Sequence, residues 1–143
     1  MATGSGEPED CLLLYDIAKD EWEIIEKDIG VGGGGQGVTG PDDCIHLMGG
    51  YKDQNKNRKY NVKKREWSEG TRMTKKRWHG RAAIDSTGKI YLYGGYVDRC
   101  ISSSDMSIYD PKKKEWSSGT PMPSTNAFFA GELNEYLIYL ITI

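Results

Sequence analysis

Gly32, Gly34 and Gly37 stand at the G-x-G-x-x-G spacing of a turn that lays backbone N–H groups around a pyrophosphate. Such a turn works only between a strand and a helix, and the next residues, Val38-Thr39-Gly40-Pro41-Asp42-Asp43, are a run with breakers in it. The dinucleotide reading fails on that context. No Gly-Lys-Ser/Thr triplet is present for a phosphate loop. The two histidines, His46 and His79, lie far apart in sequence, whereas zinc or copper requires three or more well-placed ligands. Cys11, Cys44 and Cys100 are odd in number, widely separated and in no paired motif, which fits reduced thiols in the cytoplasm or nucleus. No catalytic residue, cofactor or metal is therefore expected.

The informative pattern is a phrase written three times: Tyr15-Asp16 with Trp22, Tyr60-Asn61 with Trp67, and Tyr109-Asp110 with Trp116. The Trp always follows the Tyr by seven residues, and the Trp-to-Trp steps are 45 and 49. Two glycine pairs, Gly49-Gly50 and Gly94-Gly95, precede the second and third phrases at a spacing of 45, each ending an apolar run. A period of this size falls where four-stranded propeller blades fall. The runs at residues 81–84, 89–93, 107–109 and 115–117 are short, rich in β-branched or aromatic residues, and bounded by turn formers, so an all-β fold with four strands per period is expected. Paired glycines at a strand end suit a backbone that needs positive φ or a neighbour too close for a Cβ. The recurring Tyr and Trp are expected to fill the space between successive sheets.

These residues resemble the kelch repeat: an apolar strand ending in Gly-Gly, a loop, a Tyr-Asp-Pro-like turn and a Trp several residues later. The match is clearest from Lys89-Ile90-Tyr91-Leu92-Tyr93-Gly94-Gly95 through Ile108-Tyr109-Asp110-Pro111 to Glu115-Trp116. Ser68-Glu69-Gly70-Thr71-Arg72-Met73 also matches Ser117-Ser118-Gly119-Thr120-Pro121-Met122. The resemblance covers Cys11 to Ile143 and implies a partial kelch-type β-propeller. It divides the chain into an acidic tail (residues 1–10), a half blade (11–30), two blades (31–70 and 71–119) and a half blade (120–143). Where the second blade has Arg77-Trp78-His79-Gly80-Arg81-Ala82, the first has Gly32-Gly33-Gly34-Gly35-Gln36-Gly37, which predicts a poor innermost strand there. A closed propeller needs about four to eight blades. These 143 residues hold too few, so either the sequence is part of a longer kelch protein or copies must associate to close a ring.

The global features leave binding as the expected function. A net charge of −2 without a basic stripe argues against nucleic acid. The first ten residues are acidic and lack the apolar core of a signal peptide, and no apolar run is long enough to span a membrane as a helix. Lys63-Lys64-Arg65 and Lys112-Lys113-Lys114 are expected at solvated hairpin tips. The resemblance implies recognition of a protein partner through the loop after Gly-Gly and the connection into each blade's first strand. Here those positions give Tyr51, Lys52 and Asp53, then Arg77, Trp78 and His79, then Tyr96, Asp98 and Arg99 as the candidate patch. Loops on a rigid scaffold commonly carry function, and Tyr, Trp and Arg commonly anchor interfaces. The family often uses Arg and His at the positions of Arg77 and His79 to pin the blade, so a structural role competes there. The implied alternatives to an interaction or scaffold module are an inactive piece of a longer kelch protein and part of a propeller enzyme.

Overall fold

The computed structural model describes residues 11–98, 101–125, 129–133 and 138–142. The acidic tail and Arg99 lie outside the described residues. Fourteen strands and no helix occur among those described. The first two, β1 (Cys11–Asp16) and β2 (Glu21–Lys27), form an antiparallel hairpin. A four-stranded sheet comes next: β3 (Gln36–Thr39), β4 (Cys44–Met48), β5 (Asn57–Asn61) and β6 (Glu66–Glu69), in that spatial order. The second four-stranded sheet runs β7 (Arg81–Ile84), β8 (Ile90–Tyr93), β11 (Met106–Asp110), β12 (Glu115–Ser118). Between β8 and β11 lies a two-residue ribbon, β9 (Tyr96–Val97) with β10 (Ile101–Ser102). A last hairpin joins β13 (Phe129–Leu133) to β14 (Ile138–Thr142). Strand β7 lies beside both β3 and β13, so the first strands of successive repeats gather on one side.

The seven-residue spacing from Tyr to Trp is a hairpin register. Tyr15 faces Trp22, Tyr60 faces Trp67 and Tyr109 faces Trp116 across their strands. The ring centroids of the three pairs stand 4.9, 5.0 and 4.9 Å apart. The Asp or Asn after each Tyr supplies the turn chemistry. Asp16 Oδ1 accepts from the amides of Ala18 and Lys19, Asn61 Oδ1 from Lys64, and Asp110 Oδ1 from Lys112 and Lys113. Each is a short polar side chain replacing a backbone turn bond. The turn then closes through one residue in the left-handed region: Asp20, Arg65 and Lys114, at φ of 57°, 56° and 58°. Both basic clusters therefore do sit at hairpin tips.

The two expected roles of the paired glycines occur together. Gly49, Gly50, Gly94 and Gly95 all have positive φ. A Cβ at Gly49 would stand 2.2 Å from the Arg77 carbonyl oxygen, and one at Gly50 would stand 2.3 Å from that of Val31. At Gly95 it would meet the Gly80 amide nitrogen at 2.6 Å.

Two sequence expectations need correction. The glycine-rich segment does not spoil the innermost strand of the first blade: β3 spans four residues, as many as β7, because residues 32–35 form the loop before it. The Tyr and Trp of the repeat are not uniformly covered. Tyr60 and Tyr109 are buried, whereas Trp67 and Trp116 are only half-buried. Tyr15 and Trp22 are 41% and 70% exposed. The Tyr109–Trp116 face packs on Val38, Met48 and Met73 of the repeat before it. The principal core, Met48, Met73, Ile90, Leu92 and Tyr109 with Trp116 against it, lies between the two four-stranded sheets. Trp116 Nε1 also donates to the Thr71 carbonyl at 2.8 Å. A fully buried Trp→Ala change costs about 3–5 kcal/mol. With the ring half in water, Trp116→Ala is expected to lower the unfolding free energy by about 2–3 kcal/mol. Urea denaturation checks this, with exposed Lys113→Ala as a control expected within about 0.5 kcal/mol of the parent.

Candidate functional site

The candidate residues come from three backbone segments: the loop from β4 to β5, the connection from β6 to β7, and the loop from β8 to β11. The first loop is tied down by its own amides, Tyr51 N donating to Gly33 O at 2.9 Å and Lys52 N to Val31 O at 3.0 Å. The connection is tied to the third segment by a two-way bridge, Trp78 N to Tyr96 O at 3.1 Å and Tyr96 N to Trp78 O at 2.7 Å. These bonds bring four aromatic rings together. Trp78 has Tyr51 edge-on at 5.6 Å, His79 at 4.9 Å and Tyr96 at 5.2 Å between ring centroids. Tyr51 is 67% exposed, while Trp78, His79 and Tyr96 are half-buried beneath and beside it.

A polar cleft of about 410 Å³ adjoins Tyr51 and is lined also by Lys52, Asp53, Arg72, Lys76 and Asp98. Arg72 holds Asp53 through two bonds of 2.6 and 2.9 Å, and the guanidinium keeps that carboxyl below its ordinary pKa. Lys52 Nζ pairs with Asp28 at 2.6 Å. Asp98 is exposed at the rim. The floor is thus mixed in charge, with the one bidentate pair fixing its shape.

Arg77 does not belong to this surface. Its side chain is fully buried, and its guanidinium donates to the Gly94 carbonyl, to the Asp105 carbonyl at 3.2 Å and to Ser107 Oγ at 3.5 Å. It fastens the connection to β8 and β11 and cannot reach a partner. Burial pushes the guanidinium below its ordinary pKa, partly opposed by Asp105. Sequence reasoning missed Arg72 and Lys76. The only signal for Arg72 was its place in the matched tails, where an Arg stands opposite Pro121.

A further cleft of about 500 Å³ opens between the two sheets, lined in part by His46, Lys59, Tyr109 and Lys114. His46 is buried, 3.5 Å from Asp42, and burial pushes its imidazole below its ordinary pKa. No group of three or more His, Cys, Asp or Glu able to hold a metal occurs among the described residues.

Two family models, each described as a kelch motif, match residues 34–74 and 77–123, one on each four-stranded sheet. The chain belongs to the kelch-repeat family. Its fold is a partial kelch propeller, two four-stranded antiparallel blades flanked by two hairpins. No curated protein matches the chain. In kelch terms, Gly49-Gly50 and Gly94-Gly95 are the strand-ending glycine pairs, and Tyr51 and Tyr96 are the residues that come after them. Kelch motifs are generally protein-interaction modules and typically not catalytic. The kelch blades here present the aromatic cluster on loops whose backbones the blades hold in place.

Proposed function

We propose that the chain is a protein-interaction module that takes its partner on the loop face, through Tyr51 and the cleft beside it. The observation that carries this is the exposure of Tyr51 on a prebuilt stack. A large amphipathic ring, 67% in solvent, stands edge-on to Trp78 over a backbone fixed by hydrogen bonds. Rings held in this way lose little conformational freedom on binding, which is why Tyr and Trp dominate hot spots. Lys52, Asp53, Arg72, Lys76 and Asp98 suit a partner segment with an apolar side chain for Tyr51 and polar groups of both signs around it. His79 and Tyr96 act by supporting Trp78. Arg99 follows Asp98 in sequence and belongs to the same reading. The fitting location is the cytoplasm or nucleus, in keeping with the free thiols of Cys11 and Cys44.

Affinity capture with quantitative mass spectrometry tests the proposal using three baits: the parent, Tyr51→Ala, and Lys63→Ala on a hairpin tip outside the cleft. The same protein should be recovered with the parent and with Lys63→Ala, and recovery should fall about tenfold or more with Tyr51→Ala. Equal recovery on all three baits would put the binding surface elsewhere.

A further inference from the structure

We propose that the groove between the two blades, at the end of the sheets away from the glycine-pair loops, is a second docking surface that takes an acidic peptide segment bearing at least two carboxylates. Antiparallel connections alternate ends, so the turns β3–β4, β5–β6, β7–β8 and β11–β12 gather there, opposite the Tyr51 face.

The two blades differ at this end in one consistent way. The turn from β5 to β6 carries Lys63 and Arg65, and the chain neutralises both. Lys63 Nζ pairs with Asp43 in the β3–β4 turn of its own blade. Arg65 donates to both carboxylate oxygens of Glu23 on the first hairpin, at 2.8 and 2.9 Å. At the Trp step of 49, the turn from β11 to β12 has Lys112 and Lys114 in those two places. The carboxylates do not recur. At the step of 45 that relates the glycine pairs and the first two Trp residues, Gly88 stands for Asp43 and Ser68 for Glu23.

An opening lies where each pair would close. Lys112 and Gly88 line a cleft of about 430 Å³, and Lys114 and Ser68 line the cleft of about 500 Å³ between the sheets. The two clefts share Lys59 and Pro111, so they adjoin as one groove. Its own acids are engaged already. Asp42 faces Lys59 Nζ at 3.3 Å and His46 Nε2 at 3.5 Å, and Glu69 stands 3.5 Å from Arg58 Nε. Lys112 and Lys114 are exposed, and neither has a carboxylate partner among the described residues. Two positive charges are thus left over in a chain whose net charge is −2. A local excess of one sign steers an oppositely charged segment into place. The occupant that fits supplies what the first blade supplies for itself, one side-chain carboxylate for each cleft. Ser68 and Ser86 offer exposed hydroxyls beside these positions, while Pro41, Ile84 and Pro111 give the stems of such side chains an apolar wall.

Fluorescence anisotropy of labelled hexaglutamate on the full chain at low ionic strength tests this, with hexaglutamine as the uncharged probe. The parent should bind hexaglutamate and not hexaglutamine, and added salt should release the peptide. Lys112→Gln combined with Lys114→Gln should weaken binding about tenfold or more. Ser68→Glu, which supplies a carboxylate at the place of Glu23, should weaken it about fivefold. Lys64→Ala, on the first blade's tip, should bind as the parent does. All the altered side chains are exposed, so circular dichroism should be the same throughout. Four results would each overturn the proposal: a parent that does not distinguish the two peptides, groove variants that bind as tightly as the parent, an equal loss with Lys64→Ala, or displacement of hexaglutamate by an equal concentration of inorganic phosphate. The last would mean a site for any anion.

Discussion

Arg77→Ala should lower the unfolding free energy by about 3–5 kcal/mol, the scale of emptying a packed site of a large buried side chain and leaving a buried acceptor without its donor. The guanidinium is fully buried and spans from the connection to two strands of the second blade. Its loss leaves the buried Gly94 carbonyl without that donor, at about 1–3 kcal/mol, while the Asp105 carbonyl keeps the Gly94 amide. Lys76→Ala, one residue earlier on an exposed side chain, should stay within about 0.5 kcal/mol of the parent. Urea titrations at one chain concentration compare them, since association would couple stability to concentration. Equal midpoints for the two variants would mean that the guanidinium fastens nothing.

The second large effect concerns glycines that look alike in sequence. Gly49→Ala places a Cβ 2.2 Å from the Arg77 carbonyl oxygen at a φ of 63°. The left-handed backbone costs about 1–2 kcal/mol for a side-chain-bearing residue. Forcing an atom into a packed contact adds about 1–3 kcal/mol. A loss of about 2–5 kcal/mol is expected, enough to unfold a marginal domain. Gly33→Ala is the contrast, with nothing within 4 Å of the added Cβ and no positive φ. It should be neutral or raise stability by up to about 1 kcal/mol through a stiffer unfolded chain. Thermal melts of the pair decide it, and a similar melting temperature for both would remove the close approach as the reason for Gly49.

Much of the architecture was legible because repetition turns spacing into geometry. Seven residues from Tyr15 to Trp22 is the length that places two rings opposite each other around a four-residue turn, and three copies made the reading redundant. The candidate patch was half legible. Sequence position brought Tyr51, Trp78, His79 and Tyr96 to one place, because all flank glycine pairs or blade connections. Burial was not legible. Arg77 and Trp78 are adjacent and both suited to an interface, yet the chain ahead of β7 sends the guanidinium inward and leaves the indole half-buried beside Tyr51. The Asp53–Arg72 pair joins residues 19 apart through a connection with no periodic signal. The β9–β10 ribbon rests on two residue pairs, too short for any alternation to announce it.

The connection that carries Arg77 to His79 is bonded to both blades. Arg77 N donates to Gln54 O at 2.9 Å, Gly50 N donates to Arg77 O at 3.1 Å and His79 N donates to Gly34 O at 2.8 Å, all on the first-blade side. Trp78 exchanges two bonds with Tyr96, and the Arg77 guanidinium reaches Gly94 and Asp105, all on the second. Local openings that expose amides to hydrogen exchange follow the boundaries of cooperative units, and those boundaries fall where few bonds cross. Among the described residues no such seam runs between these two blades. An opening of one must break hydrogen bonds held by the backbone of the other, so the pair is expected to exchange as a single foldon although the sequence repeats at its middle.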